Sequence, residues 1–388
     1  MAMSSRERII SALTHQKPDH TPCALMLYGA LHRSSKNYLD FIDRQLELGL
    51  DAFVELPPRA PLTSNDHYNL HGLPVSFHPG VSIREFKLPG KDEPLLVKEY
   101  HTPAGTLICE VRQTDDWRWG DHVPFLDDYI IPRATKFPIT GEQDLAAMQY
   151  LLQPPTDDEI VLAKQECQPV LAKARQEDLL VAGGWGVGAD MVGWVYGLTP
   201  MIMDVYDHPE FLKALLDMIA DWNRARMSVL LEMSLDLYIK RAWYENCDFF
   251  SPKSWREFIL PILKQDADVA HQAGAKLGYI ITARAMPLLD MIAEAGVDVL
   301  IGVDPHTFDL AKTKATLAGR VCLWGGVNGH LAVEQGTTQQ VREEVRQAVE
   351  ILAPGGGFIL SPVDNVREDT PRSRENVSAM IKAWQDTY

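Results

Sequence analysis

Carboxylates, aromatics, amides and a few arginines recur just after short apolar runs in this sequence, and those positions are where chemistry is to be sought. In chain order they are Tyr28, His32 and Arg33, then Glu55, then Gly183, Gly184 and Trp185. Trp243, Tyr244, Glu245 and Asn246 follow, then Tyr279, Thr282 and Arg284, Asp304 and His306, Asn328, and finally Asp364 and Asn365. Asp304 or Glu245, among apolar walls that raise a carboxyl pKa, can give or take a proton or partner a cation. Tyr279 can donate a proton or bond a substrate oxygen. Arg33 or Arg284 can hold a substrate carboxylate through two parallel N–H bonds. Trp185, Trp243 and Tyr244 can stack on a planar ring, and the pairs Gly183-Gly184 and Gly325-Gly326 permit close backbone approach to a ligand. Each has a plainer use. The arginines can bridge loop carboxylates, Asp304 and Glu245 can pair with Arg284 or Arg241, the tyrosine and tryptophans can be core, and the glycines can serve tight turns.

The rest of the composition narrows the chemistry. The 388 residues carry 53 acidic and 37 basic side chains, a formal charge of −16, with 46% hydrophobic residues. An acidic chain with no basic run repels phosphate backbones, which excludes nucleic acid as a partner. No stretch approaches the ~20 apolar residues of a membrane span, and the N-terminus is too charged for a signal peptide, so a cytoplasmic protein is expected. Five scattered cysteines without C-x-x-C or C-x-x-H spacing argue against a disulfide framework and a zinc module; they read as small buried hydrophobes.

These residues need a scaffold that gathers strand ends. Short β-rich runs alternate with amphipathic helical stretches at Pro22 to Leu27, Ala52 to Leu56, Leu179 to Gly183, Leu237 to Trp243, Lys276 to Ile281, Val299 to Asp304, Val321 to Gly325 and Phe358 to Ser361. Eight such units suit a (β/α)8 TIM barrel better than an open doubly wound sheet, because no G-x-G-x-x-G follows the first strand. Ser251-Pro252 opens a helix expected to run to Gly274, and Thr370-Pro371 opens the last helix. Residues 1–388 read as one domain with a long insertion, residues 57–150, after the second strand. The insertion begins with Pro57, Pro58, Pro61 and Pro74 and contains a hairpin, Leu95 to His101 and Thr106 to Arg112, around Thr102-Pro103-Ala104-Gly105. Helices from about Glu142 to Gln176 lead back to the barrel. Leaving a strand at its carboxyl end, the insertion is expected over the mouth as a lid or pocket wall, with an oligomerisation element as the alternative. Gly355-Gly356-Gly357 precedes the last strand and reads as a turn at the barrel bottom, not a phosphate cradle.

Several segments resemble the uroporphyrinogen decarboxylase superfamily. They are Arg6-Glu7-Arg8-Ile9-Ile10-Ser11-Ala12-Leu13 with Pro18-Asp19-His20-Thr21-Pro22, the run Phe250 to Pro261, and Gly355 to Ser361 with Asp369-Thr370-Pro371 and Glu375-Asn376-Val377. The resemblance spans nearly the whole chain and implies the same barrel. The tetrapyrrole decarboxylases carry Arg-Gln-Ala-Gly-Arg after the first strand, where this chain has Leu27-Tyr28-Gly29-Ala30-Leu31-His32-Arg33. The corrinoid-dependent methyltransferases of the superfamily bind zinc through His-x-Cys after the fifth strand and a later Cys. Here the fifth strand ends Gly278-Tyr279-Ile280-Ile281-Thr282 and the last reads Phe358-Ile359-Leu360-Ser361. Cys23 and Cys322 fall early in their strands, Cys109 and Cys167 lie in the insertion, and Cys247 alone is near the mouth. A thiolate zinc site is therefore not expected, and His32, Glu55, Asp304 and Asp364 are the donors left for any ion.

The resemblance and the strand-end residues together imply metal-independent decarboxylation of a carboxylated aromatic or heterocyclic molecule, with no cofactor. Asp304 or Asp364 would stabilise the cation formed on ring protonation, Arg33 or Arg284 would orient the leaving carboxylate, and Tyr279 would donate a hydrogen bond, with Glu245 as a further proton carrier. Tyr28, His32, Glu55, Trp185, Trp243, Tyr244, Thr282, Arg284, Asn328 and Asn365 would line the substrate. The alternatives are methyl transfer from a methoxylated compound to a corrinoid partner protein and a non-catalytic small-molecule-binding barrel. A homodimer is expected by resemblance.

Overall fold

A computed structural model describes residues 3–26, 28–57, 73, 75–363 and 366–388. Seven parallel strands curl into one sheet: β1 (Phe53–Leu56), β6 (Leu180–Gly186), β7 (Leu237–Arg241), β8 (Lys276–Ile280), β9 (Val299–Val303), β10 (Cys322–Asn328) and β11 (Phe358–Val363), paired in that order. The stretch beginning at Pro22 lies between the two ends. The Leu360 N–H bonds to the Pro22 carbonyl and the Ala24 N–H to the Leu360 carbonyl, while the Asp51 N–H reaches the Cys23 carbonyl. A further parallel bridge joins Tyr28 to Val366. Pro22 has no N–H to give, and the run makes isolated bridges where a full strand was expected. The fold is a TIM-barrel-like α/β structure.

Between β1 and β6 in sequence lies a second, antiparallel sheet of β2 (Ser82–Leu88), β3 (Leu95–Thr102), β4 (Gly105–Arg112) and β5 (Ala134–Lys136). The β3–β4 hairpin stands where expected, each strand one residue longer at the turn, with Thr102 pairing with Gly105. β2 has no fully buried position and β5 is three residues long, so neither leaves the alternation by which a half-buried strand is recognised. Pro58, Pro61 and Pro74 lie outside the described residues.

The helix Ser5–Leu13 closes the amino-terminal end of the barrel. A reciprocal Ser4/Glu7 capping box starts it, and Ile9, Ala12 and Leu13 join Phe53, Leu180, Leu237, Val299 and Ile359 in the barrel interior. Arg8 anchors it, bonding to Asp19 at 2.7 Å, to the Met3 carbonyl at 2.8 Å and to the buried Asp51. Helices such as Pro209–Leu231, Leu260–Gln272 and Pro371–Gln385 pack on the outer face. The expected helix from Ser251 to Gly274 is divided into Pro252–Phe258 and Leu260–Gln272. Pro261, which lacks an N–H and whose ring crowds the carbonyl four residues back, accounts for the break. Gly355, Gly356 and Gly357 all have φ between 71° and 79° in the turn before β11. No helix among the described residues is long and apolar enough to cross a membrane.

Candidate active site

Two irregularities shape the carboxyl end of the barrel. Alternation along β6 places Leu180 and Ala182 inside and would send Trp185 out. The register with β7 shifts between Gly184 and Gly186, and this extra residue turns the Trp185 indole into the barrel interior. Trp185 has φ 54°, a left-handed conformation uncommon for a bulky side chain. A second shift, between Trp324 and Gly325 of β10, leaves Trp324 inside, edge-on to Phe53 at 5.4 Å.

With Trp243, these indoles wall a cavity completed by Met26, Ile280, Thr282, Ile301, Gly302 and residues 361–363. Its empty volume, counting the open end, is ≈390 Å³; the part that admits the centre of a water-sized molecule, ≈30 Å³, has about the room of two waters, so a ring-sized ligand would extend into the open end. The indole N–H groups of Trp185 and Trp324 are spent on the protein, bonding Glu55 Oε1 at 3.2 Å and the Ala24 carbonyl at 3.0 Å. Glu55 shares the inward parity of Phe53 on β1 and is 5% exposed. It is the strand-end carboxylate that the structure ties to a wall of this cavity.

Arg241 shares the inward parity of Leu237 and Ile239. Its guanidinium lies 3.9 Å from the Trp243 ring and 4.8 Å from that of Trp194. Nε donates to Asp190 at 2.7 Å, and Nη2 donates to both oxygens of Asp128 at 2.8 and 2.7 Å. Asp190 is fully buried, and burial pushes its carboxyl up against the pull of Arg241. Asp128 also accepts from Trp194 Nε1 at 2.9 Å and the Tyr244 hydroxyl at 3.1 Å. Burial, reinforced by Asp128 and Asp190, raises the Tyr244 phenol far above its usual value, so it stays a donor.

The other expected site residues lie in several places. Thr282 lines the cavity with Trp185 and Trp243. Tyr279 points the opposite way from Ile280, into the layer between sheet and helices, where its hydroxyl donates to Glu245 Oε2 at 2.5 Å. Glu245 Oε1 takes the Ala189 N–H at 3.1 Å, and burial raises both the carboxyl and the phenol. Asp304 accepts from the His306 N–H at 2.9 Å and from Asn328 Nδ2 at 2.8 Å, and Asn328 in turn caps Leu331. Arg284, 72% exposed at its side chain, pairs with Asp248 at 2.9 Å. Arg33 is also exposed and donates to the Arg367 carbonyl. His32 meets Phe41 edge-on, and Tyr28 is buried beside Val366. Asp364 and Asn365 lie outside the described residues.

Trp324, Met26 and Ser361 line the cavity without having been singled out from the sequence, and Arg241 had been noted only as an ion-pair partner. Strand parity was the available signal: Arg241 falls two residues after Ile239, and Trp324 two after Cys322. Four cysteines are buried and Cys247 is partly so. Among the described residues no three His, Cys, Asp or Glu side chains gather as metal ligands. The donor set among the described residues does not fit the thiolate zinc of the methyltransferase branch.

The profile of the family described as uroporphyrinogen decarboxylase (URO-D) matches residues 128–387. The chain belongs to the uroporphyrinogen decarboxylase family. The match begins at Asp128, so it takes in every barrel strand from β6 onward. Among solved structures, a methyltransferase from Methanosarcina mazei is 17% identical, with 100% of this chain and 99% of that one covered and a TM-score of 0.60. A B12-independent methionine synthase from Shewanella sp. W3-18-1 is 9% identical over 57% of this chain and 65% of its own, with a TM-score of 0.43. No curated protein sequence matches the chain. At 17% identity the likeness to the Methanosarcina mazei protein speaks only for the fold of this uroporphyrinogen decarboxylase family member.

Proposed function

We propose that this protein is an enzyme that decarboxylates a flat aromatic or heterocyclic carboxylate without a metal, using the indole-walled cavity as its substrate site. The observation that carries the reading is Glu55, a buried carboxylate bonded to Trp185 at the wall of that cavity. In this reading Glu55 serves as the general acid, passing a proton to the ring carbon that bears the carboxylate. The C–C bond electrons then return to the ring as CO2 leaves, so the product carries hydrogen where the carboxylate was, and Glu55 is left as the anion. Between those events the ring is cationic, and the faces of Trp185, Trp243 and Trp324 offer it the negative lobe of their quadrupoles. An apolar cavity also favours loss of charge as carboxylate becomes neutral CO2.

The test is incubation with ring-¹³C and carboxyl-¹³C benzoates and heteroaryl carboxylates while following labelled CO2. Glu55→Gln is expected to lower kcat by roughly 10²–10⁴-fold, the usual contribution of a positioned acid. Undiminished turnover in that variant would remove Glu55 from the mechanism.

A second reading, methyl transfer from an aromatic methyl ether to a corrinoid protein, draws support from the cations. Arg33 and Arg284 are engaged away from the cavity, and Arg241 is already balanced by Asp190 and Asp128, an arrangement that suits an uncharged ring. Growth of methylcob(III)alamin absorbance from cob(I)alamin and anisole derivatives, with no CO2 from any carboxylate, would favour this over decarboxylation. Ligand binding with neither reaction would leave a binding barrel.

A further inference from the structure

We infer that Arg241 and Asp128 together read a hydroxyl on the substrate ring, Arg241 Nη1 donating to its oxygen and Asp128 Oδ2 accepting its O–H. The inference rests on the indole-walled cavity being the substrate site. Arg241 is the last residue of β7 and leaves the strand on the inward row of Leu237 and Ile239, level with Ile280 of β8. Its guanidinium stacks on Trp243 at 3.9 Å. Ile280 and Trp243 both line the cavity, so the guanidinium stands at its rim, at the carboxyl end of the strands. A ring too large for the closed part of the cavity extends toward that rim.

The bonds at the rim leave one donor and one acceptor side by side. Nε is spent on Asp190 and Nη2 on both oxygens of Asp128, whereas Nη1 donates to no group among the described residues. The Arg241 side chain is 12% exposed, and Nη1, unlike the indole N–H of Trp243, is not sealed from solvent, so an incoming group can reach it. Asp128 Oδ1 takes three bonds, from Arg241, Trp194 and Tyr244. Oδ2 takes only the one from Nη2 among the described residues, at 2.7 Å, on a side chain that is 37% exposed. A carboxylate oxygen has room for a second donor. Nη1 and Nη2 share one carbon, so Nη1 and Oδ2 adjoin, and a hydroxyl can accept from the first while it donates to the second. An anion does not suit the place, because Asp190 and Asp128 already set two carboxylates against one guanidinium and a third would meet like charge. An ether oxygen can take the N–H but has nothing for Oδ2. The ligand class is therefore a phenol or a hydroxylated heterocycle. A ring hydroxyl also feeds electrons to the carbons ortho and para to it, which eases the ring protonation that decarboxylation requires.

The experiment compares three probes on the full chain by ligand-observed NMR: p-cresol, which accepts and donates, 4-methylanisole, which only accepts, and p-xylene, which does neither. The wild-type protein should bind p-cresol about tenfold tighter than 4-methylanisole, the weight of one hydrogen bond to a charged acceptor, with p-xylene weakest. Asp128→Asn keeps an oxygen for Trp194 and Tyr244 and puts an NH2 group where Oδ2 was. In that variant p-cresol should fall to the affinity of 4-methylanisole, with p-xylene bound as before. Arg241→Lys, checked for folding by its thermal transition, should bind 4-methylanisole no better than p-xylene. Equal binding of all three probes by the wild type, a p-cresol preference that survives Asp128→Asn, or a 4-methylanisole preference that survives Arg241→Lys overturns the assignment and leaves the aromatic site standing. Binding of none of the probes overturns the site and the assignment together.

Discussion

At the scale of single residues, the site is made by glycines as much as by the groups that line it. Trp185 can turn inward because Gly184 and Gly186 flank it, and each is close to Tyr238 of β7. A Cβ on Gly184 would lie 2.4 Å from the Tyr238 ring, and one on Gly186 would lie 2.6 Å from its hydroxyl. Gly184 also has φ 111°, a conformation that residues with a Cβ rarely adopt. Tyr238 is 3% exposed between the sheet and its helices, so it has little room to yield. Gly184→Ala is therefore expected to destabilise the fold by about 1–3 kcal/mol from overpacking alone, read as a lower urea midpoint at unchanged slope. It should also disturb Trp185 fluorescence and weaken ligand binding. A variant as stable as the wild type would mean that the bulge is not set by this contact. The glycine pair was visible in the sequence, with close approach and tight turn as its two readings. The approach turns out to be that of Leu56 and Tyr238, which pairing across strands reveals and a linear sequence does not.

At the scale of elements, strand positions were the most legible feature. The expected runs at Ala52, Lys276, Val299 and Phe358 begin within one residue of β1, β8, β9 and β11, because β-branched runs between turn residues are a strong local signal. Which face each residue takes was harder to read. Fully buried parallel strands have no polar face, so their alternation is hidden, and a bulge then reverses parity partway along a strand. The hidden alternation is why Tyr279, on β8 where the register runs without a shift, reads as a strand-end donor in sequence yet lies between sheet and helices, bonded to Glu245. Arg8 belongs to this scale too. It ties the Ser5–Leu13 helix to Asp19 and to Asp51, which is 1% exposed and also accepts the Cys23 N–H. Removing the guanidinium leaves the Asp51 carboxylate buried without its cation. Arg8→Met should cost about 3–5 kcal/mol, and a second change, Asp51→Asn, should recover part of that loss by removing the stranded charge. A double variant no more stable than Arg8→Met in chemical denaturation would show that the pair contributes through packing alone.

At the scale of the whole molecule, the question is how the antiparallel sheet is held to the barrel. The segment between β1 and β6 has a small core of its own, with Leu96, Cys109, Val111, Trp117, Trp119, Val123 and Ile130, while Tyr100, Leu107 and Phe125 join the main core. Asp128 supplies a polar tie at the carboxyl end of the barrel, receiving hydrogen bonds from Arg241 on β7, from Trp194 and from Tyr244. This tie makes the segment a neighbour of the cavity, since Arg241 stacks on Trp243. Its side chain is partly exposed, so charge attraction is screened and the hydrogen bonds matter more. Asp128→Ala orphans the buried Trp194 N–H and the Tyr244 hydroxyl, a loss of about 1–3 kcal/mol for each buried group left unpaired. Asp128→Asn keeps an oxygen for Trp194 and should lose less. In hydrogen exchange, Asp128→Ala is expected to speed amides of residues 117–137 while those of β8 and β9 keep wild-type protection, with Asp128→Asn in between. Because the same carboxylate holds Arg241 against Trp243, the alanine variant should also bind an aromatic probe more weakly. Unchanged exchange in residues 117–137 would mean that the apolar contacts hold the segment by themselves, and unchanged probe affinity would uncouple it from the cavity.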